Sequence, residues 1–164
     1  RLMYGQVSRD QLVGYRQVVH GNVMASIHAL IEQAGDDAVA CKDALAFVKD
    51  NTEEDTEMTP EIGEHVKALW ADAAIQSAWD ERHATKIEIV ESFAYFAQHL
   101  ERICAPEYMD ESANFTSEQL KDMKADVINA YGRTSGVLTA VYEVDDHEFE
   151  FIDVGGQRSE RKKW

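Results

Sequence analysis

Basic residues are scarce in this sequence: 16 Lys and Arg stand against 31 Asp and Glu, a net charge of −15. A phosphate backbone is repelled by such a surface, which excludes nucleic acid as a partner. Cysteine is scarcer still. Cys41 and Cys104 sit at no metal or redox spacing, which points to two inert thiols in a reduced, cytosolic environment. No apolar run approaches the ~18 residues that a membrane-spanning helix requires. The six histidines include no pair at i, i+3 or i+4, so they read as ordinary polar or core histidines rather than metal ligands. The sequence also lacks a G-x-x-x-x-G-K-[ST] loop to cradle phosphates.

What is present is mostly helical periodicity in a chain of 164 residues, long enough for one sizeable core. Ser8 followed by Gln11 fits a capping box and opens a long helix. Its inward stripe is Leu12, Tyr15, Val19, Val23, Ile27, Leu30 and Ile31, and Gly35 closes it. Gly14 and Gly21 each cost roughly 1 kcal/mol inside a helix, so tertiary packing must hold this element. A second helix is expected over 37–49, with Val39, Leu45 and Val48 inward, and an acidic solvated loop over 51–57.

Thr59-Pro60-Glu61 is a helix start: a cap, a proline at the first position, then a carboxylate near the positive end. Ile62, Val66, Leu69 and Trp70 form its inner face. A short helix over 74–81 offers Ile75 and Trp79, and a long one over 87–104 offers Ile89, Phe93, Phe96, Leu100 and Ile103. After Pro106, residues 107–115 read as loop, and Thr116 or Ser117 caps a last helix through Leu120, Met123 and Val127. The sum is an all-helical bundle around one long central helix, with Trp70, Trp79, Phe93, Tyr95 and Phe96 as core aromatics.

From Val137 the period changes to two, Asp145-Asp146 turns, and a strand returns over 147–152. Helices followed by a strand pair suggest a bundle inserted ahead of a hairpin from a different domain. The final run, Asp-Val-Gly-Gly-Gln-Arg-Ser-Glu-Arg-Lys-Lys-Trp over 153–164, carries the chemistry. Asp153 offers a hard oxygen suited to a Mg²⁺-bound water, and the bare Gly156 N–H suits a phosphate oxygen. Gln157 can orient a water with both donor and acceptor. These are the parts of phosphoanhydride hydrolysis. The same run also suits a Gly-Gly turn after an edge strand, with a solvated basic tail: Arg158, Arg161, Lys162 and Lys163 crowd its end.

Residue for residue, this run resembles switch II of heterotrimeric G-protein alpha subunits. ADP-ribosylation-factor-type GTPases share Asp-Val-Gly-Gly-Gln, but the following Arg-Ser-Glu-Arg-Lys-Lys-Trp is similar to the alpha subunits alone. Tyr15-Arg16, Leu69-Trp70 and the Ser92-x-x-Tyr95 region sit where family members carry similar residues. The resemblance implies a mostly α architecture, an inserted helical domain followed by a two-strand piece of a Ras-like P-loop α/β GTPase domain. Its divisions are 1–7 for the end of the first GTPase-domain helix and linker, 8–128 for the helical domain, and 129–164 for switch I, two strands and switch II. Residues 107–125 depart from it, being about a dozen longer than is usual in the family, for no reason visible in the sequence.

By the same resemblance, switch I is Asp-Val-Ile-Asn-Ala-Tyr-Gly-Arg-Thr-Ser-Gly over 126–136. Thr134 is then the Mg²⁺ ligand that senses the γ-phosphate, and Asp153 holds the same ion through water. Sixteen residues between Gly136 and Asp153 reproduce the family's spacing. In this register the catalytic arginine is replaced by Tyr131, while Arg133 falls at a basic but non-catalytic position. The resemblance assigns Gln157 as catalytic, with Arg133 as a substitute arginine if the local backbone shifts. Thr134, Asp153, Gly156, Glu91 and Ser92 are assigned to nucleotide binding, and Lys163, Trp164 and Arg161 to contact with a beta-gamma dimer or, for Arg161, to a GTP-state ion pair.

The function implied is a GTP-binding and GTP-hydrolysing signal transducer, using GTP/GDP and Mg²⁺. Its implied partners are a beta-gamma dimer, a G protein-coupled receptor, effectors and GTPase-activating regulators. Its implied location is the cytoplasm and the cytosolic face of the plasma membrane, attached through an N-terminus not in this sequence. The chain begins without Met, stops within the switch II match, and holds no N-K-x-D to read guanine. It is therefore expected to be a fragment cut at both ends, in which missing leader or lipidation motifs carry no meaning. The alternative is a non-enzymatic helical interaction module or a degenerate relative that binds partners without hydrolysis.

Overall fold

The computed structural model describes the backbone of residues 9–53, 56–87, 89–130, 137–144 and 147–154; at 9–11, at 51 and in both strands, only the backbone is described. The chain divides into two compact units, Arg1–Ala130 and Tyr131–Trp164. Among the described residues the first unit holds seven helices and the second an antiparallel strand pair.

Helix α1, Arg9–Ala34, runs through the middle of the first unit. Leu12, Val19, Val23, Ile27, Leu30 and Ile31 are buried as the stripe predicts. Met24, His20 and Ser26 are buried as well, because other helices pack around α1 on several sides. Each large apolar side chain so enclosed contributes about 1.5–3 kcal/mol, which outweighs the glycines within the helix. Gly35 ends α1 in the left-handed region at φ 78°, its N–H donating to the Ile31 carbonyl at 2.9 Å.

Helix α2 spans Lys42–Asn51, not 37–49. The cause lies in Asp72, a buried carboxylate whose Oδ2 accepts from the Ala40 and Cys41 amides at 2.7 and 3.0 Å. With those N–H groups engaged, helical turns begin only afterwards. The other oxygen of Asp72 caps α4, Ala73–Thr85, accepting from the Ala74 amide at 2.9 Å. Burial alone would raise this carboxyl, but the amides of Ala74, Cys41 and Ala40 outweigh it and hold it below the ordinary value. The acidic stretch expected to be a solvated loop is partly built in: Thr52 and Met58 are buried, and Glu57 pairs with Arg16 at 2.6 Å.

Helix α3, Pro60–Trp70, starts as the sequence predicts, with Thr59 Oγ1 accepting from the Ile62 amide at 3.3 Å. Trp70, half-buried, meets Trp79 edge-on at 5.5 Å and Phe93 at 5.1 Å, adding about 0.5–1.5 kcal/mol per aromatic pair beyond area burial.

The long helix expected over 87–104 is not formed. Two short helices stand in its place, α5, Phe93–Ala97, and α6, Leu100–Ile103. At the break the Tyr95 carbonyl accepts from the Gln98 amide at 3.2 Å and from the His99 ring Nδ1 at 2.8 Å, and the His99 amide turns to Phe96 at 2.9 Å. A side chain competing for helix carbonyls, with i to i−3 bonds, stops the α ladder here. Ile89, Phe93, Phe96, Leu100 and Ile103 are nevertheless all buried, as expected.

Residues 107–115 contain no helix or strand, as expected, yet they form a packed strap. Tyr108 and Met109 are fully buried, Met109 in the left-handed region at φ 48°, and Asp110 lies 3.6 Å from Arg16. Thr116 and Gln119 then make a reciprocal capping box, at 2.9 and 3.2 Å, ahead of α7, Ser117–Ala130.

In the second unit β1, Val137–Val144, pairs with β2, His147–Val154, in a register that sets Val144 opposite His147 and Val137 opposite Val154. The hairpin expected from the period-two pattern is present, and β2 runs on past residue 152.

Candidate functional site

The run read as switch I opens inside α7. Asp126–Ala130 are its last helical residues, and 131–136 lie outside the described residues. Asp126 is fully buried. Its carboxylate accepts from Arg102 Nη1 and Nη2 at 2.5 and 2.9 Å, from Tyr95 Oη at 2.9 Å and from Tyr108 Oη at 3.0 Å. Burial together with this carboxylate pushes the Tyr108 hydroxyl pKa far up, so it stays a donor. Four charge-assisted bonds from three segments satisfy this buried carboxylate.

The last carbonyls of α7 are also taken. Ser92 Oγ donates to the Asn129 carbonyl at 2.6 Å, and Asn22 Nδ2 to the Ala130 carbonyl at 3.0 Å. Ser92, assigned by resemblance to the nucleotide, thus spends its hydroxyl on the helix end. Glu91 is exposed and accepts from Arg82 Nε and Nη2, each at 3.2 Å, with His83 Nδ1 at 3.7 Å. Arg82 in turn lies over the Trp79 ring at 3.9 Å.

Asp153 falls within β2, opposite Leu138. Tyr131, Arg133, Thr134, Gly156, Gln157, Arg161, Lys163 and Trp164 lie outside the described residues. Among the assigned residues, then, the described structure places Glu91 and Ser92 side by side before α5 and Asp153 in the hairpin. Among the described residues no cluster of His, Cys, Asp or Glu suits a metal ion.

Sequence reasoning missed Asp126, Arg102 and Asn22. One signal for Asp126 was available: it lies three residues after Met123 and four before Ala130, on the inner face of α7. A carboxylate on an apolar face requires a partner, but nothing local to it specifies Arg102.

The described residues define a helical-bundle protein with a β-hairpin following the bundle. All of it, residues 1–164, matches the model of the family described as G-protein alpha subunit, and the chain belongs to that family. It is similar to the guanine nucleotide-binding protein alpha-9 subunit of Dictyostelium discoideum, 31% identical over 162 residues, covering 96% of this chain and 43% of that protein. The alpha-1 subunit of Neurospora crassa is 28% identical over 167 residues, covering 98% of this chain and 43% of that protein. A guanine nucleotide-binding protein subunit alpha of Sporothrix schenckii is 26% identical over the same length and shares. The chain spans less than half the length of these relatives.

Proposed function

We propose that this chain is the helical-domain-to-switch-II part of an alpha subunit that binds and hydrolyses GTP, cycling between GTP and GDP to transmit signals. The observation that carries the reading is the family match over residues 1–164, which includes the Asp-x-Gly-Gly-Gln run that starts at Asp153. The hairpin is then the edge of a Ras-like domain, with switch I before it and switch II after it.

Thr134 hydroxyl and Asp153 carboxylate are hard oxygen donors that suit Mg²⁺, the second through water. Bound there, the ion supplies charge neutralisation at the terminal phosphates. Gln157 orients the attacking water, and the Gly156 amide approaches a phosphate oxygen unhindered by a Cβ. Glu91, exposed before α5 and paired there with Arg82, stands where the family resemblance sets a nucleotide contact. Arg161, Lys163 and Trp164 form the basic, aromatic-tipped end that exchanges partners with nucleotide state, meeting a beta-gamma dimer in one of them. A receptor, effectors and GTPase-activating regulators complete the cycle at the cytosolic face of the plasma membrane.

By the same resemblance, Tyr131 stands in the place of the catalytic arginine. An arginine acting on transition-state charge is worth about 10³–10⁵ in rate, roughly 4–7 kcal/mol, and a phenol cannot supply that charge. The intact protein therefore hydrolyses GTP slowly unless Arg133 or a partner's arginine enters the site. Single-turnover hydrolysis by the intact Tyr131→Arg protein tests this: acceleration supports the reading, and an unchanged rate counts against it. The 164 residues alone, lacking the phosphate loop, are expected to bind GTP weakly; sub-micromolar binding by them alone would contradict that expectation.

A further inference from the structure

An α-helix leaves its last four carbonyls without partners inside the helix, and such ends fray unless something else holds them. At α7 two of these carbonyls are held by side chains distant in sequence. Ser92 reaches Asn129 from 37 residues away, and Asn22 reaches Ala130 from 108 residues away. One turn earlier, Asp126 ties the same helix to Arg102 of α6, to Tyr95 of α5 and to Tyr108 of the strap. The strap, for which the sequence offered no purpose, supplies one of these ties.

The last two turns of α7 are thus fixed to four separate segments of the bundle, ahead of Tyr131. Stability of the bundle alone does not require this. Ser92 is half-buried rather than enclosed, and a water could serve the Asn129 carbonyl. What the two bonds hold is the end of the helix itself, at the Asn129 and Ala130 carbonyls.

We propose that Ser92 and Asn22 are positioning residues for switch I, holding the end of α7 so that Thr134 starts from a fixed point when it meets Mg²⁺. This rests on the reading of 131–136 as switch I. With the anchor loosened, the Mg²⁺-competent arrangement is a smaller fraction of the population, and the apparent Mg²⁺ affinity falls by that fraction.

The test uses the intact alpha subunit, with Mg²⁺ titrated against GTP retention. Ser92→Ala and Asn22→Asp, which keeps the side-chain shape and removes the donor, are each expected to raise the Mg²⁺ midpoint about three- to tenfold. Ser92→Thr restores the wild-type midpoint, Ser77→Ala at an exposed position of α4 leaves it alone, and GDP affinity measured in chelator is unchanged in Asn22→Asp. Hydrogen exchange in the same proteins is expected to quicken at residues 129–133 and stay constant in α3. A wild-type protein that responds to Mg²⁺ while both variants keep its midpoint overturns the positioning role alone. So does a shift shared by Ser77→Ala or not rescued by Ser92→Thr. A wild-type protein that takes up no guanine nucleotide overturns the nucleotide reading and this role with it.

Discussion

Arg102 grips Asp126 with both terminal nitrogens, at 2.5 and 2.9 Å, across the seam between α6 and α7. The carboxylate is fully buried while the guanidinium side chain keeps 25% of its exposure. The two halves of this pair therefore differ in what their loss leaves behind. Arg102→Ala strands a buried charge and is expected to lower unfolding free energy by about 3–5 kcal/mol. Asp126→Asn leaves a guanidinium that can turn to water, so its loss should be smaller. Tyr108→Phe removes one donor to a charged acceptor, for about 1.5–3 kcal/mol. Urea unfolding of the three variants checks the order, and a loss below about 1 kcal/mol for Arg102→Ala would contradict it.

Two glycines are expected to answer the same substitution with opposite signs. At Gly63 an added Cβ would lie 2.7 Å from Cys104 Sγ, where α3 meets α6. Cys104 is itself buried, its thiol pushed up to about 12 by desolvation first and Glu64 second. It has little room to yield, so Gly63→Ala should destabilise by about 1–3 kcal/mol. At Gly14, on an exposed part of α1, the same Cβ meets nothing within 4 Å. Gly14→Ala should raise stability by about 0.5–1 kcal/mol. Thermal melts of both variants decide it.

His20 gives the bundle a pH response. Its Nδ1 accepts from the Met58 amide at 3.1 Å, so the proton is on Nε2, which donates to the Ile103 carbonyl at 3.0 Å. The groups facing it are Arg16 of its own helix, Glu57 before α3, and Tyr108, whose ring stacks at 5.9 Å. Burial lowers its pKa below 6.5, and Arg16 adds to this against the opposing pull of the Ile103 carbonyl and Glu57. Unfolded chains therefore bind the proton first on acidification. The stabilisation from neutral His20 is whole above 6.5 and is lost as pH falls through the lowered folded value. Stability measured from about pH 7.5 to about pH 5 should fall more steeply in the wild type than in His20→Gln; parallel curves would contradict this.

Where the sequence was legible, one helix face or one cap settled the matter. The α1 stripe, the Thr59-Pro60 start, Gly35 and the period-two hairpin all rest on neighbours within a few residues. The failures have distant or competing causes. Residues 87–104 keep the spacing of a buried helix face, but the His99 ring takes a carbonyl that the ladder needs. The start of α2 is set by Asp72, some thirty residues on. Tyr108 is buried in a stretch without periodicity because Asp126, later in the chain, needs its hydroxyl. The run at 153–157 is a local motif, whereas the ties at the end of α7 join residues as far as 108 apart in sequence and are visible only in three dimensions.

The central claim is that Thr134 and Asp153 serve a single Mg²⁺ beside the terminal phosphate of GTP. Mg²⁺-dependent GTP binding by the intact subunit, compared among wild type, Thr134→Ala and Asp153→Asn, tests it most directly. Both variants are expected to lose the tightening that Mg²⁺ gives GTP while keeping wild-type affinity for GDP in chelator. If either retains the full Mg²⁺ dependence of the wild type, the two residues do not share the ion and the claim fails.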